Sequence, residues 1–156
     1  MKVSAWRIVK RKLAKDAFSG EGARRFGGRW NSPGVAMVYT AQSQSLAALE
    51  ILVPLESSDL LDQYVVIEVR MDSGLITHVG ESKLPRDWQA EPPPLGLQAI
   101  GDEWAASGAS PVLQVPSSII PAEGNFLLNP LHRDFQKLMI GKPVRFRFDL
   151  RLMAPK

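Results

Sequence analysis

The chain has 156 residues, a length that suits one globular domain with its own hydrophobic core. It contains no cysteine and 2 histidines, which excludes a disulfide scaffold, a cysteine nucleophile and cysteine-ligated zinc. The N-terminus lacks the apolar stretch of a signal peptide, and no apolar run approaches the roughly 18 residues of a membrane span. We therefore expect one cytoplasmic domain over residues 1–156, with no metal site and no membrane contact.

The net charge is +3, and the basic residues are concentrated near the N-terminus. Between positions 10 and 29 the chain carries Lys10, Arg11, Lys12, Lys15, Arg24, Arg25 and Arg29. A concentration of this kind favours a phosphate-bearing ligand or an acidic partner. The alternative is an ordinary solvated surface.

The first half of the chain predicts three strands, a glycine-rich loop and a helix. In chain order these are a strand at 6–9, a loop at 18–34, a buried strand at 35–40, a helix at 43–53 and a strand at 64–71. Ser43 or Ser45 can cap the helix, and Pro54 ends it. The 64–71 stretch is rich in β-branched residues, which favours a strand.

The second half predicts shorter elements between prolines. In chain order these are an irregular excursion at 85–94, a helix at 97–107, a strand at 112–115, a polar loop, a helix at 131–139 and an alternating edge strand at 144–152. Gly108 and Pro116 mark two of the element ends. Because the helices interrupt the strands without regular βαβ repeats, we predict an α+β fold, a mixed β-sheet core with flanking helices.

The first motif with chemical potential is Gly27-Gly28-Arg29-Trp30-Asn31. Two adjacent glycines let a backbone approach a ligand closely, and the arginine after them offers a planar charged fork to a phosphate. The alternative is a tight turn followed by a surface arginine. The bulky Trp30 beside the turn favours a packed, functional position.

Glu50 is the only ionisable residue between Ala41 and Leu55, and it lies in an apolar helical stretch. A carboxylate there is costly unless it is paired, or exposed on a narrow polar stripe with Ser43 and Gln44. A partly buried carboxylate in a cleft can stabilise a cation or act as a general acid or base. Both interpretations remain open from the residues alone.

Three further positions have a structural and a functional interpretation. Tyr39 is either a core aromatic residue or a ring that stacks on a flat ligand. The polar run around Ser117 and Asn125 is either turn chemistry or a binding loop. His132 is either a proton shuttle or, as we prefer, a side chain with a structural hydrogen bond.

Together these motifs resemble the RES domain, and the resemblance extends from Trp6-Arg7 to about Phe148. The family is named for an arginine, a glutamate and a serine, which correspond here to Arg29, Glu50 and Ser117. Further matching positions are Tyr39, Asn125 and the run Leu128-Asn129-Pro130-Leu131-His132. Phe126 stands where a tyrosine is common in the family, a departure that we expect to be tolerated.

The resemblance implies a fold similar to that of ADP-ribosylating toxins. It also implies the toxin component of a type II toxin–antitoxin system, which degrades NAD by cleaving the nicotinamide–ribose bond as a glycohydrolase or phosphorylase. NAD would be the substrate, with no additional cofactor. The implied partner is an Xre-like helix-turn-helix antitoxin, and we expect a toxin homodimer within that complex and no direct nucleic-acid binding.

On the basis of the resemblance we expect catalytic roles for Arg29, Glu50 and Tyr39. Arg29 would hold phosphate or ribose oxygens, Tyr39 would stack on nicotinamide, and Glu50 would oppose the positive charge that develops on the ribose. The expected substrate-binding residues are Arg7, Gly28, Asn31, Ser117 and Asn125. The assignment requires Arg29 and Glu50 to converge on one pocket sized for a dinucleotide.

Other functions use the same residues differently. An ADP-ribosyltransferase would share the pocket and transfer the sugar to a cellular protein. A non-catalytic nucleotide-binding module would bind NAD without releasing nicotinamide. A nucleic-acid binder would explain the basic N-terminus, but the chain has no recognisable helix-turn-helix or aromatic RNA-binding signature.

Overall fold

A computed structural model describes residues 1–56, 58–59 and 62–153. Within these residues an 8-stranded sheet forms the centre of the molecule. The strands are β1 (Lys2–Lys10), β2 (Val38–Ala41), β3 (Tyr64–Asp72), β4 (Ile76–His78), β5 (Val112–Pro116), β6 (Gly124–Leu128), β7 (Met139–Ile140) and β8 (Val144–Phe146).

The strands lie in the order β4-β5-β6-β2-β1-β3-β7, and β8 also pairs with β3. The β4–β5 pair is parallel, whereas all other pairs are antiparallel, so the sheet is mixed. The longest ladder joins β1 to β3, with Lys2 opposite Asp72 and Lys10 opposite Tyr64. This arrangement confirms the predicted α+β class.

Among the described residues, three α-helices accompany the sheet: α1 (Glu21–Phe26), α2 (Gln44–Leu52) and α3 (Leu95–Ser107). As predicted, Ser43 caps α2, because its hydroxyl accepts a 3.1 Å bond from the Leu46 amide. Helix α3 ends at Gly108, whose φ of 64° is the left-handed conformation expected at a helix C-terminus. Short 3-10 helices complete the described elements at Arg11–Asp16, Ser73–Leu75, Glu81–Lys83, Phe135–Lys137 and Leu150–Met153.

The core lies on both faces of the sheet. On one face, Leu97 and Trp104 of α3 pack in a cluster with Trp30, Trp88 and Leu127. A separate cluster joins Leu46 and Ala47 of α2 to Ile8 and Ala41 of β1 and β2. Helix α2 is thereby fixed against the middle of the sheet, where the candidate site lies.

Several predicted elements were wrong or incomplete. The 18–34 loop contains α1, which begins after Gly20, ends before Gly27 and carries a paired Glu21–Arg24 bridge. Strand β6 was missed, because all its residues are buried and a strand covered on both faces shows no polar alternation. Strand β4 was missed as well, since three residues are too few to show a period.

The predicted helix at 131–139 is also wrong. The Asn129 side chain accepts a bond from the Leu131 amide, and the His132 ring accepts one from the Asp134 amide. Such local bonds compete with helical ones, and the segment forms turns, a 3-10 helix and β7.

The predicted strand at 144–152 ends at Phe146 instead. Its pairing with β3 covers only Tyr64–Val66, so the residues beyond Phe146 have no partner strand in the described part of the chain. They continue into a 3-10 helix that begins beside Asp149, whose carboxylate accepts a bond from the Arg151 amide.

Candidate active site

A pocket of about 260 Å³ lies where α2 meets β1, β2 and β6. It is lined by Trp6, Arg7, Ile8, Arg29, Trp30, Tyr39, Thr40, Ala41, Ala47, Glu50, Ile51, Ser118 and Asn125. The pocket confirms that Arg29 and Glu50 converge on one cavity. Its volume is slightly below the roughly 300–1,000 Å³ of typical small-molecule sites, so the expected size for a whole dinucleotide was too large.

Glu50 projects into the pocket from the last full turn of α2. Its carboxylate accepts a 2.7 Å bond from the Asn125 amide and a 3.3 Å bond from the Ser117 hydroxyl. Burial raises the pKa of Glu50, and the bonds from Asn125 and Ser117 counteract part of that increase. Ala47 and Ile51 line the same pocket, so the solvent-exposed polar stripe was the wrong interpretation.

Arg7 reaches the pocket from the middle of β1. One of its terminal nitrogens donates a 2.9 Å bond to the Tyr39 carbonyl. Within the described part of the chain, the Arg7 Nε is buried and has no hydrogen-bond partner. Burial lowers the pKa of Arg7 to about 10, so the guanidinium remains charged at neutral pH. A buried donor without an acceptor is rare, and at the wall of a pocket it is available to bond a ligand.

Arg29 lines the pocket but is held by the 85–94 excursion. One terminal nitrogen donates to the carbonyls of Trp88 and Ala90, at 3.1 and 3.0 Å. The other forms a 2.8 Å salt bridge with Glu91. The Arg29 side chain is 17% exposed and that of Glu91 is 78% exposed. Arg29 is therefore not the surface arginine of the alternative interpretation, and its fork is engaged by protein groups.

Tyr39 lines the pocket, and its hydroxyl is bonded to buried protein groups. The hydroxyl donates to the Asn31 side-chain oxygen and accepts a 3.0 Å bond from the Trp30 amide. Burial raises the pKa of Tyr39, so the hydroxyl stays neutral. A Cβ on Gly28 would lie 2.6 Å from the Tyr39 hydroxyl, so this glycine permits a close approach of Tyr39.

Three of the expected substrate-binding residues, Gly28, Asn31 and Ser117, are not among the residues that line the pocket. Asn31 is 0% exposed, and its amide donates to the carbonyls of Ala23, Ser32 and Val35. Ser117 is also 0% exposed and contacts Glu50. Direct contact of Asn31, Ser117 or Gly28 with a substrate stays a prediction. In the structure, Asn31 and Gly28 contact Tyr39 and Ser117 contacts Glu50, and both Tyr39 and Glu50 line the cavity.

Sequence reasoning missed Ser118, Trp6 and Ile51 as lining residues. The spacing of Ala47, Glu50 and Ile51 contained a usable signal, because positions i, i+3 and i+4 share one face of a helix. No comparable signal identified Ser118, which follows β5 in an irregular turn.

The basic N-terminal residues are partly neutralised. Lys10 contacts Asp59 and Asp62 at 3.1 and 2.8 Å, and Arg24 pairs with Glu21. His132 bonds the Gly108 carbonyl through Nε2 at 2.8 Å and does not line the 260 Å³ pocket, as the structural interpretation predicted.

No helix in the described ranges has both the length and the apolar character needed to cross a membrane. In the same part of the chain, no group of three or more His, Cys, Asp or Glu side chains is arranged to hold a metal ion.

The chain matches a known protein family. Residues 4–149 match the family model described as the RES domain, and the chain belongs to this family. A relative named "Toxin Res" from Yersinia enterocolitica is 38% identical over 148 residues, which cover 94% of this chain and 97% of that protein. A "Prs ADP-ribosylating toxin" from Sphingobium sp. is 40% identical over 158 residues, which cover 98% of each protein.

A third relative connects the family to a solved structure. The "NAD(+) phosphorylase MbcT" of Mycobacterium tuberculosis is 31% identical over 119 residues, which cover 70% of this chain and 63% of that protein. The crystal structure of the M. tuberculosis MbcT–MbcA toxin–antitoxin complex contains a chain that matches with a TM-score of 0.76 at 20% identity. That match covers 94% of this chain and 85% of the other and confirms the fold.

Proposed function

We propose that this protein is a toxin that degrades NAD by cleaving the bond between nicotinamide and ribose. The observation that carries the proposal is that Arg7 and Glu50 line the same small cavity. Arg7 is charged, and its buried Nε has no acceptor among the described residues, while Glu50 is a partly desolvated carboxylate. Such a cavity can bind an anionic group at Arg7 and can stabilise a developing positive charge at Glu50.

NAD supplies both of these groups. Its pyrophosphate is an anion that can accept the bond that the Arg7 Nε lacks. Its ribose becomes positively charged at the anomeric carbon when the C–N bond breaks, and nicotinamide leaves as a neutral ring with the bonding electron pair. Glu50 then opposes that charge, as carboxylates do in glycoside cleavage. The acceptor's oxygen forms the new bond to the anomeric carbon, and any proton on that oxygen passes to solvent.

The size of the cavity favours one end of the dinucleotide. About 260 Å³ fits the nicotinamide and its ribose, and the remainder of NAD would extend out along Arg29. The Tyr39 ring is the flat surface on which nicotinamide would stack. Asn125 would hold the Glu50 carboxylate in place, as its present 2.7 Å bond does.

The second candidate is ADP-ribosylation of a protein. It shares the pocket and the loss of nicotinamide, and differs only in the acceptor. The name of the Sphingobium relative favours it, whereas the name of the mycobacterial relative favours phosphate as the acceptor. In either reaction NAD is a substrate and no additional cofactor takes part.

A toxin of this kind needs a partner that restrains it, and the matched complex with MbcA suggests an antitoxin. We propose an Xre-like antitoxin that binds the toxin, which itself forms a homodimer in the cytoplasm. Mixing purified toxin and antitoxin at rising salt measures how much of the contact is electrostatic. Size-exclusion chromatography with light scattering measures the stoichiometry.

The proposal is tested by incubating the purified protein with NAD labelled in the adenosine part, with and without phosphate and with a cell extract. Release of nicotinamide with labelled ADP-ribose or its phosphate supports NAD degradation. Label on a protein of the extract supports the second candidate. NAD that stays intact under all conditions refutes both, and leaves a nucleotide-binding module.

A further inference from the structure

We infer that one face of α3 positions the active site, with Gln98, Gly101 and Asp102 holding the Gly28–Ser32 segment. That segment carries Arg29 and Trp30, which both line the pocket. The inference rests on the proposed function, since it assigns α3 the task of placing the arginine that would contact NAD. None of the three α3 residues lines that pocket.

Both ends of the segment are bonded to the helix. At one end, the Gln98 amide donates a 2.9 Å bond to the Gly28 carbonyl. At the other end, the Asp102 carboxylate accepts a 2.9 Å bond from the Ser32 amide. Gln98 and Asp102 are four residues apart, so they project from the same face of α3 one turn apart.

Gly101 lies on the same face, one position before Asp102. A Cβ at this position would lie 1.7 Å from the Trp30 carbonyl oxygen and 2.8 Å from the carbonyl carbon. Both are backbone atoms, which cannot rotate away as a side chain would. The segment therefore lies directly against the backbone of α3, and only glycine permits that distance.

The contacts fix the backbone on both sides of Arg29, so the guanidinium starts from a defined position. The Tyr39 hydroxyl adds a third restraint at the Trp30 amide. Glu50, Ser117 and Asn125 belong to other elements and make no hydrogen bond to α3 within the described ranges. A defect in the α3 contacts should therefore weaken substrate binding and leave the carboxylate chemistry intact.

The test compares Asp102→Ala, Asp102→Asn and Gln98→Ala with wild type, and uses Glu103→Ala as the matched control. Glu103 is an exposed residue of the same helix. For Asp102→Ala we expect the KM for NAD to rise about tenfold with kcat within about threefold, because a misplaced anchor weakens binding. Asp102→Asn keeps an oxygen acceptor for the Ser32 amide and should restore the KM. Gln98→Ala should raise the KM in the same direction.

Two results would overturn the inference. One is an unchanged KM in both Asp102→Ala and Gln98→Ala, and the other is a loss of activity in Asp102→Asn as large as that in Asp102→Ala. A fall in melting temperature without a KM effect would mean that the contacts are merely structural. Gly101→Ala tests the packing of α3 against the Gly28–Ser32 segment separately, since its added methyl group must displace α3.

Titration with ADP separates this inference from the proposed function. ADP has the pyrophosphate but no nicotinamide bond, so its binding does not depend on turnover. Wild type that binds ADP without cleaving NAD would refute the function, while about tenfold weaker ADP binding by Asp102→Ala would still support the inference. Equal ADP binding by Asp102→Ala and wild type would overturn the inference. Wild type that binds neither NAD nor ADP would overturn both.

Discussion

The Asn125 side chain donates a 2.7 Å hydrogen bond to the Glu50 carboxylate and thereby joins the buried strand β6 to α2. Asn125 is 8% exposed, and its amide also donates to the Thr40 carbonyl, so it has little freedom to turn away. Burial raises the pKa of Glu50, whereas the bond from Asn125 lowers it. The bond from Asn125 therefore favours the ionised form of a partly desolvated carboxylate where positive charge would develop.

Replacing Glu50 by glutamine should separate activity from stability. We expect the rate of NAD consumption to fall by about 10² to 10³, which is typical for the loss of one preorganised electrostatic group. We expect stability at neutral pH to rise, because the raised pKa of Glu50 means that its ionised form disfavours the folded state. Below the unfolded-state pKa of the glutamate this gain should vanish. Nicotinamide release and denaturant unfolding at neutral and acidic pH measure both effects.

Glu103→Gln is the control for this substitution, since Glu103 is exposed and lies outside the pocket. It should change neither the rate nor the stability. A Glu50→Gln protein that consumed NAD at the wild-type rate would remove Glu50 from the mechanism.

Removing the amide of Asn125 should shift the pH dependence of the reaction. Activity that needs an ionised Glu50 is lost as the pH falls through the pKa of that group, and burial already raises this pKa. Asn125→Ala removes the shorter of the two bonds to the carboxylate, so the acid limb of the kcat/KM profile should move to higher pH. Ser117→Ala removes the 3.3 Å bond and should move it less. An acid limb in the same place for all three proteins would contradict the account.

Glu91 should compete with the substrate for Arg29. The salt bridge at 2.8 Å engages one terminal nitrogen of the fork that would bond a phosphate. Glu91→Gln should lower the KM for NAD by about two- to fivefold, in line with the ~0.2–1 kcal/mol of an exposed ion pair. Steady-state kinetics measure this, with the exposed Glu81→Gln as control. A higher KM in Glu91→Gln would show instead that the carboxylate helps to bind the substrate.

Tyr39→Phe should affect stability more than substrate affinity. It keeps the ring on the pocket but removes the bonds to the Asn31 oxygen and the Trp30 amide. Leaving such buried groups unpaired costs about 1–3 kcal/mol, to be measured by urea unfolding. Tyr64→Phe, which loses a single 3.2 Å bond to the Asp59 carbonyl, should cost less. If Tyr39→Phe were fully stable but inactive, the hydroxyl would have a chemical role instead.

The sequence identified several residues that line the pocket, and it predicted the fold class but not every element around the pocket. Glu50 stood out because burying a lone carboxylate in an apolar helix costs free energy unless the group is paired or exposed. The structure places Glu50 on the pocket. Arg29 stood out because of the glycines before it. The contacts that occupy its fork were not predictable, since Trp88, Ala90 and Glu91 lie about sixty positions away in an irregular stretch.

The errors in the fold have related causes. Strand β6 shows no polar alternation because both of its faces are buried. The 131–139 segment has helix-like apolar spacing, but its backbone amides donate local bonds to the Asn129 and His132 side chains instead of forming a helix. Gly101 was not singled out in the sequence, and its role becomes visible only in its short distance to the Trp30 carbonyl. Long-range contacts of this kind leave no trace in a single sequence.

Nicotinamide release from NAD by the purified protein, measured for wild type and Glu50→Gln in the same assay, tests the central claim most directly. The account predicts rapid release by wild type and a rate about 10² to 10³ lower in the variant, with NAD still bound. Equal rates in the two proteins, or no release by wild type, would contradict it.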